Sequence, residues 1–403
     1  MSFEQGLSGL NAASAGLDVT GNNISNANTV GFKVARPEFA DVFANSLAGT
    51  STNAIGIGTQ LAAVATQVTQ GNITVTNNPF DLAINGAGYF RMSDNGTISY
   101  SRNGQFGLDK DGFIVDSGKR HLTGFAADAA GNIVPSSPVD IQLTTTDIAP
   151  QATTAASVVV NLDSGSTPPP AVPPFNPTDA TTFNSSTALS VFDTLGNPHV
   201  VGVYFRKTAA NAWNLYTNID GGAAGAATAL AFSPTGVLTT AMPLAQSFAV
   251  ATGAVTPLAF TLDLTGTSQY GSPFGVNAIT QDGFSSGRLT GVFIGSDGTV
   301  QGRYSNGQAR NLAQVVLSNF INVQGLKPIG DNQFAETPDS GTPLVGAPTT
   351  GSLGTLQAAA LEDSNVDLTA ELVNLITLQR VYQANAQTIK TQDAVLQTLV
   401  NIR

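Results

Sequence analysis

Residues 361–403 read LEDSNVDLTAELVNLITLQRVYQANAQTIKTQDAVLQTLVNIR. Leu361, Leu368, Leu375, Tyr382, Ile389 and Leu396 recur at every seventh position, and Leu372, Leu378, Leu399 and Val400 widen the same stripe. No Gly or Pro interrupts the run. Ser364 and Asp367 stand just before it in a capping-box pattern. The spacing predicts one helix of about 35 residues, about 50 Å long. A helix of that length needs a partner for its apolar side.

The opposite end carries a weaker version of the same signal. Phe3, Leu10, Leu17 and Ile24 also step by seven, with Leu7 beside them. Gly6, Gly9, Gly16 and Gly21 weaken this helix, since each Gly costs about 1 kcal/mol against Ala in a helix interior. The two stripes can bury against one another as an αα pair within one chain, or against other copies of the chain. Their position at the extreme termini, around a β middle able to fold without them, favours other copies. On that reading the ends stay disordered until a neighbour supplies the missing contacts.

Between the ends the pattern is β. Short apolar or alternating runs such as Tyr89-Phe90-Arg91-Met92 and Gly291-Val292-Phe293-Ile294 are separated by tight-turn signals. Asp94-Asn95-Gly96, Asp109-Lys110-Asp111-Gly112, Ser296-Asp297-Gly298 and Ser305-Asn306-Gly307 are the clearest of these. Residues 167–174, TPPPAVPP, form a stiff polyproline loop. The fold class is therefore mainly β with α-helical termini. Helical ends around a β middle imply a nested chain: a helical base from residues 1–70 and 358–403, an inner β domain from 71–146 and 283–357, and an outer β domain from 147–282.

Composition narrows what such a chain does. Only 11% of its 403 residues are charged, against roughly 25% in an ordinary soluble domain. A surface this poor in charge suits a chain packed against copies of itself. The net charge is -11, and residues 208–287 contain no Lys, Arg or His. Nucleic acid and anionic membrane surfaces need clustered cations, so neither is an expected partner. The longest uncharged stretch, residues 221–262, is broken by Pro234, Pro243 and Pro257, which argues against membrane insertion. There is no Cys for a disulfide or thiolate metal site. Met1-Ser2-Phe3-Glu4 opens without a basic run or apolar core, so no cleaved signal peptide is expected.

Catalytic constellations are missing from the pattern. The two histidines, His121 after Lys119-Arg120 and His199 after Asn197-Pro198, read as surface or turn residues. Glu362-Asp363 reads as a helix-start pair that favours the helix dipole. Asp109-Lys110-Asp111-Gly112 lacks the Gly and Glu that would make it a calcium loop. No cofactor, metal or catalytic residue is expected, and the chain is not expected to be an enzyme.

Two further motifs carry a resemblance. Gly21-Asn22-Asn23-Ile24-Ser25-Asn26-Ala27-Asn28-Thr29-Val30-Gly31-Phe32-Lys33 resembles the N-terminal signature of bacterial flagellar rod, hook and hook-associated proteins, with Asn22, Asn23, Asn26, Thr29, Gly31 and Phe32 as its marks. Ser364-Asn365-Val366-Asp367, followed by Gln379-Arg380-Val381-Tyr382, resembles the C-terminal signature of the same axial family. In the middle, Asn78-Pro79-Phe80-Asp81, Gln269-Tyr270-Gly271 and Val191-Phe192-Asp193-Thr194-Leu195-Gly196-Asn197 resemble the hook members, although Phe192 and Thr194 stand where Tyr and Ser are expected.

The resemblance implies a subunit exported through the flagellar type III apparatus. Copies would polymerise beneath a hook cap into a short curved tube outside the cell, a flexible joint transmitting motor torque to the filament. The distal rod and hook-filament junction proteins would flank that tube. The terminal helices would form its coiled-coil inner layer, with the β domains outside. A distal rod or other hook-basal axial subunit is the alternative, but rod subunits generally lack the Pro-rich middle insertion.

Overall fold

A computed structural model of the chain describes residues 2–43, 56–128, 130–144, 146–172 and 174–401. Its ends are helical: α1 is Ser2–Ser25 and α2 is Leu368–Asn401. At 34 residues, α2 is about 50 Å long. It starts at Leu368 because Asp367 caps it: Asp367 Oδ1 accepts from Thr369 N at 2.9 Å and Ala370 N at 3.1 Å. Ser364 stays outside the helix, its Oγ accepting from Val366 N at 3.3 Å, so Asp367 acts as the cap itself and no capping box forms. Leu361 is not a helix residue. It lies buried in the strand Ala360–Glu362, paired antiparallel with Ile73–Val75.

The strands between the helices fall into two units, and the second is inserted in the sequence of the first: residues 1–144, 291–303 and 309–403, then residues 145–290 and 304–308. In the first unit, α1 is followed by a long antiparallel ribbon of Ala35–Phe43 and Gly56–Thr66. A larger sheet then runs through Ala309–Val315, His121–Ala126, Tyr89–Asp94, Thr97–Ser101, Gln333–Ala335 and Lys327–Gly330. Asn95 (φ 50°) and Gly96 (φ 93°) make one of its two-residue turns, joining Asp94 to its cross-strand partner Thr97. Leu82, Phe90, Met92, Ile114, Leu122 and Val315 are fully buried in this unit's main core.

The second unit has two sheets. One runs Leu244–Phe248, Leu258–Asp263, Ala155–Asp163 and Ser268–Tyr270, with Gly275–Gln281 also on Ala155–Asp163. The other runs Ser185–Phe192, Pro198–Ala209, Ala212–Ile219 and Thr228–Ala231. Alternate residues of both, including Val158, Val160, Val201, Val203, Phe205 and Leu262, meet in one core, as period-two strands require. Trp213 sits within it, its Nε1 donating to Gln269 Oε1 at 2.8 Å. The polyproline loop is fastened rather than loose. Arg206 Nη2 donates to Pro170 O at 2.6 Å, and Phe175 stacks on Tyr216 with ring centroids 3.9 Å apart.

Candidate self-assembly site and its anchor

The two terminal helices lie against each other within the chain, antiparallel. A Cβ added at Gly6 would meet Ile389 Cγ1 at 3.1 Å, one at Gly9 the Asn385 side chain at 2.8 Å, and one at Gly16 Leu378 Cδ2 at 3.0 Å. The glycines that weaken α1 as an isolated helix are thus the residues that let α2 approach. The two ends pair with each other here rather than standing unpaired, because a small-residue seam supplies contact that the apolar stripe alone does not. Ala13 and Thr20, spaced with Gly6 and Gly16 along α1, are buried as well.

This seam is offset from the stripe that the heptads mark. Phe3 and Leu7 are exposed, while Leu10, Leu17 and Ile24 are half-buried. On α2, Leu375, Leu378 and Ile389 are half-buried. Leu368, Leu372, Tyr382 and Leu396 are exposed, as are Val373, Ile376, Val381 and Val395. The Leu399 side chain lies outside the described residues. α1 therefore covers part of α2 and leaves apolar side chains uncovered, with Leu368, Leu372, Val373 and Ile376 grouped on its first turns.

The two signature segments meet where the helices join the β structure. Asn23 is buried and imitates a strand edge toward Ala35, its Nδ2 donating to the Ala35 carbonyl at 2.8 Å and its Oδ1 accepting from the Ala35 amide at 3.0 Å. Asn26 closes the end of α1 by donating to Asn22 O at 2.9 Å and accepting from Thr29 Oγ1 at 3.2 Å. Gly31 needs to be Gly: its φ is +70°, and a Cβ would lie 2.6 Å from Arg102 C. Its amide donates to Glu362 O at 2.8 Å. Phe32 is half-buried beside Tyr89 and Phe334 in a groove of about 480 Å³. From the other end, Asn365 Oδ1 accepts from Val34 N at 2.7 Å, and its Nδ2 donates to Gln67 O at 2.8 Å. Val366 is half-buried, and Gln379 and Arg380 are exposed on α2.

At the centre of this junction is a buried ion cluster that the sequence does not advertise. Glu362 Oε1 accepts from Lys33 Nζ at 2.6 Å and from Gly71 N at 2.9 Å, and Glu362 Oε2 accepts from Arg102 Nη1 at 3.2 Å. Lys33 Nζ also donates to Thr69 O, and Arg102 Nη2 to Gly86 O, each at 2.8 Å. Burial holds the Lys33 ammonium below the ordinary lysine range, against the pull of the Glu362 carboxylate. Glu362 is therefore not a helix-start carboxylate serving a dipole. Lys33 ends the N-terminal signature segment, but only the partner it shares with Arg102 gives it a role.

The histidines also differ from expectation. His199 is buried on Pro198–Ala209 between Asp193 and Asp220, and His121 is half-buried, stacked on Phe113 with centroids 4.5 Å apart. Among the described residues no group of three or more His, Asp and Glu is placed to hold a metal ion, and no helix is long and apolar enough to cross a membrane.

Comparison with known proteins gives this geometry its class. Residues 3–33 match the family described as flagella basal body rod protein, and residues 357–402 match the flagellar basal body rod FlgEFG protein C-terminal family. Residues 83–163 match the flagellar hook protein FlgE/F/G D1 domain, and 161–284 the flagellar basal body protein FlaE D2 domain. These define a flagellar axial protein, mainly β with helical ends.

The relatives are more specific. Flagellar hook protein FlgE of Escherichia coli K12 is 43% identical over 415 aligned residues, with both chains covered in full. That of Borreliella burgdorferi is 30% identical over 441, covering 100% of this chain and 99% of the relative. A crystal structure of Helicobacter pylori flagellar hook protein FlgE2 shares the fold at a TM-score of 0.53 and 15% identity, covering 72% of this chain and 100% of that one. The chain belongs to the flagellar hook protein FlgE family.

Proposed function

We propose that this chain is the structural subunit of the flagellar hook, polymerising with copies of itself into a curved, flexible tube that passes motor torque to the filament. The observation that carries this reading is the uncovered apolar patch on the first part of α2, formed by Leu368, Leu372, Val373 and Ile376. An exposed apolar patch on a helix is a surface awaiting another helix. In the polymer, the α1–α2 pair of one subunit packs this patch on neighbouring subunits and builds the inner layer. The base, inner and outer domains follow the nested division at residues 1–70 with 358–403, 71–146 with 283–357, and 147–282.

The role needs no catalysis, and the chain acts as a building block rather than an enzyme. Its other contacts are the hook cap during growth, the distal rod and hook-filament junction proteins at the tube's ends, and the flagellar type III apparatus that exports it without a cleaved signal. The test is electron microscopy of the concentrated purified protein. Tubes that disappear in Leu372→Asp support the reading. Absence of tubes in the unaltered protein across salt and concentration, or their persistence in that variant, overturns it.

A further inference from the structure

His199 lies at one end of the second unit, where three loops converge. Its Nδ1 is 2.6 Å from Asp220 Oδ2 and its Nε2 is 3.3 Å from Asp193 Oδ2. The His199 and Asp193 side chains are 6% and 0% exposed, while Asp220 is 52% exposed. A neutral imidazole carries one N–H, so it can satisfy only one of these carboxylates and turns a lone pair toward the other. Two carboxylates, one on each ring nitrogen, call for the doubly protonated ring.

Each carboxylate also organises its own loop. Asp193 Oδ1 accepts from Leu195 N and Asn197 N, both at 2.9 Å, and its Oδ2 accepts from Asn197 Nδ2 at 2.9 Å and Thr252 Oγ1 at 2.6 Å. Asp220 Oδ1 accepts from Val200 N at 2.9 Å. Facing the ring, the turn at 193–197 contributes the Asp193 charge and the turn at 219–222 the Asp220 charge. The segment 249–252, which belongs to no strand, contributes only the Thr252 hydroxyl, and it borders a cavity of about 700 Å³ that His199 and Asp220 also line.

We propose that His199 is a pH-sensitive clasp, which holds the 193–197 turn and the 249–252 segment in place while protonated and releases them when the surroundings turn alkaline. On losing a proton, the ring keeps its N–H on the nearer Asp220 and presents a lone pair to Asp193. Asp193 then holds a buried negative charge against that lone pair, with only hydroxyl, amide and backbone donors left. The strain falls on the Asp193–Thr252 side, the side with no charged anchor of its own. Burial alone would lower the His199 pKa, but hydrogen bonds to Asp220 and then Asp193 outweigh it and raise it above the ordinary imidazole value. A raised folded-state pKa means that the stabilisation is complete below about pH 6.5, the unfolded value, and is lost as pH rises through the folded one.

The chain's two histidines make the test direct. In the full chain labelled at histidine Cε1, His121→Gln assigns the remaining resonance to His199. Its midpoint is expected above about 6.5. Hydrogen exchange at Leu195 and Asn197, whose amides Asp193 holds, should accelerate at least tenfold beyond the intrinsic base effect, with the same midpoint. In His199→Gln these amides should exchange fast at every pH. If that variant does not fold, Thr252→Val, which leaves the ring untouched and removes one donor from Asp193, should raise exchange at Leu195 and Asn197 and shift its midpoint. A midpoint at or below 6.5, or exchange that ignores the titration, overturns the proposal.

Discussion

Lys33 Nζ lies 2.6 Å from Glu362 Oε1, both side chains are buried, and 329 positions of sequence separate them. With Arg102 on the other carboxylate oxygen, this contact ties together the segment leaving α1, the inner sheet and the strand that leads to α2. Glu362→Ala strands two buried cations. Removing one partner of a buried pair costs about 3–5 kcal/mol, so the urea unfolding midpoint of the first unit should drop markedly. The triple replacement Lys33→Met, Arg102→Met, Glu362→Leu should recover most of that loss. An unchanged midpoint in Glu362→Ala would show that water or relaxation satisfies the cations.

The α1 glycines are not equivalent. Gly21 has nothing within 4 Å of an added Cβ, so Gly21→Ala should stabilise α1 by up to about 1 kcal/mol. Gly9 faces Asn385, and Gly9→Leu should push the helices apart. Limited proteolysis of dilute protein should then trim both ends faster than in the unaltered chain. Adding Asn385→Ala, which opens space at the contact, should restore part of the protection. Equal trimming of all three proteins would mean that the pair does not persist in solution.

Two leucines three positions apart separate folding from assembly. Leu375 is half-buried, so Leu375→Asp puts a charge into a packed seam and should abolish tubes while also loosening the helical base. Leu372 is exposed, and Leu372→Asp should leave thermal stability within about 0.5 kcal/mol of the unaltered chain. Sedimentation should find it soluble and monomeric. A large stability loss in Leu372→Asp would place that residue inside the chain's own packing.

Phe175 fastens the polyproline loop. It stacks on Tyr216 and meets Tyr204 edge-on with centroids 5.4 Å apart. Such aromatic pairs are worth about 0.5–1.5 kcal/mol each beyond burial. Phe175→Ala should make residues 167–174 a site of rapid proteolytic nicking and leave the β circular-dichroism signal intact. Resistance equal to the unaltered protein would show that the Arg206 bond to Pro170 O and the Asn184 Nδ2 bond to Thr167 O, at 2.8 Å, suffice to hold the loop.

The helical termini, the β middle and its turns were legible in the order of residues, because each depends on neighbours within one or two turns of chain. The seven-residue step marked α2, and Asn95-Gly96 marked a hairpin because few other pairs tolerate two positive φ values in succession. The same step overran the helix at Leu361, since a buried strand residue and a stripe residue are equally apolar, and only Asp367 distinguishes where the cap falls.

Other features were settled only by tertiary structure. Which face of α1 meets α2 depends on how closely two backbones approach, and that turned helix-weakening glycines into the seam. Glu362 read as a helix-start carboxylate and His199 as a surface or turn residue, because a charged side chain declares its role through its partners. Those partners sit 329 and 260 positions away for Glu362, and 21 away on the closer ring nitrogen of His199. The sequence by itself determined which local structures form, because local propensity and periodicity are written in adjacent residues. Tertiary structure alone decided which of them touch and which charges are buried, because burial is a property of segments far apart in the chain.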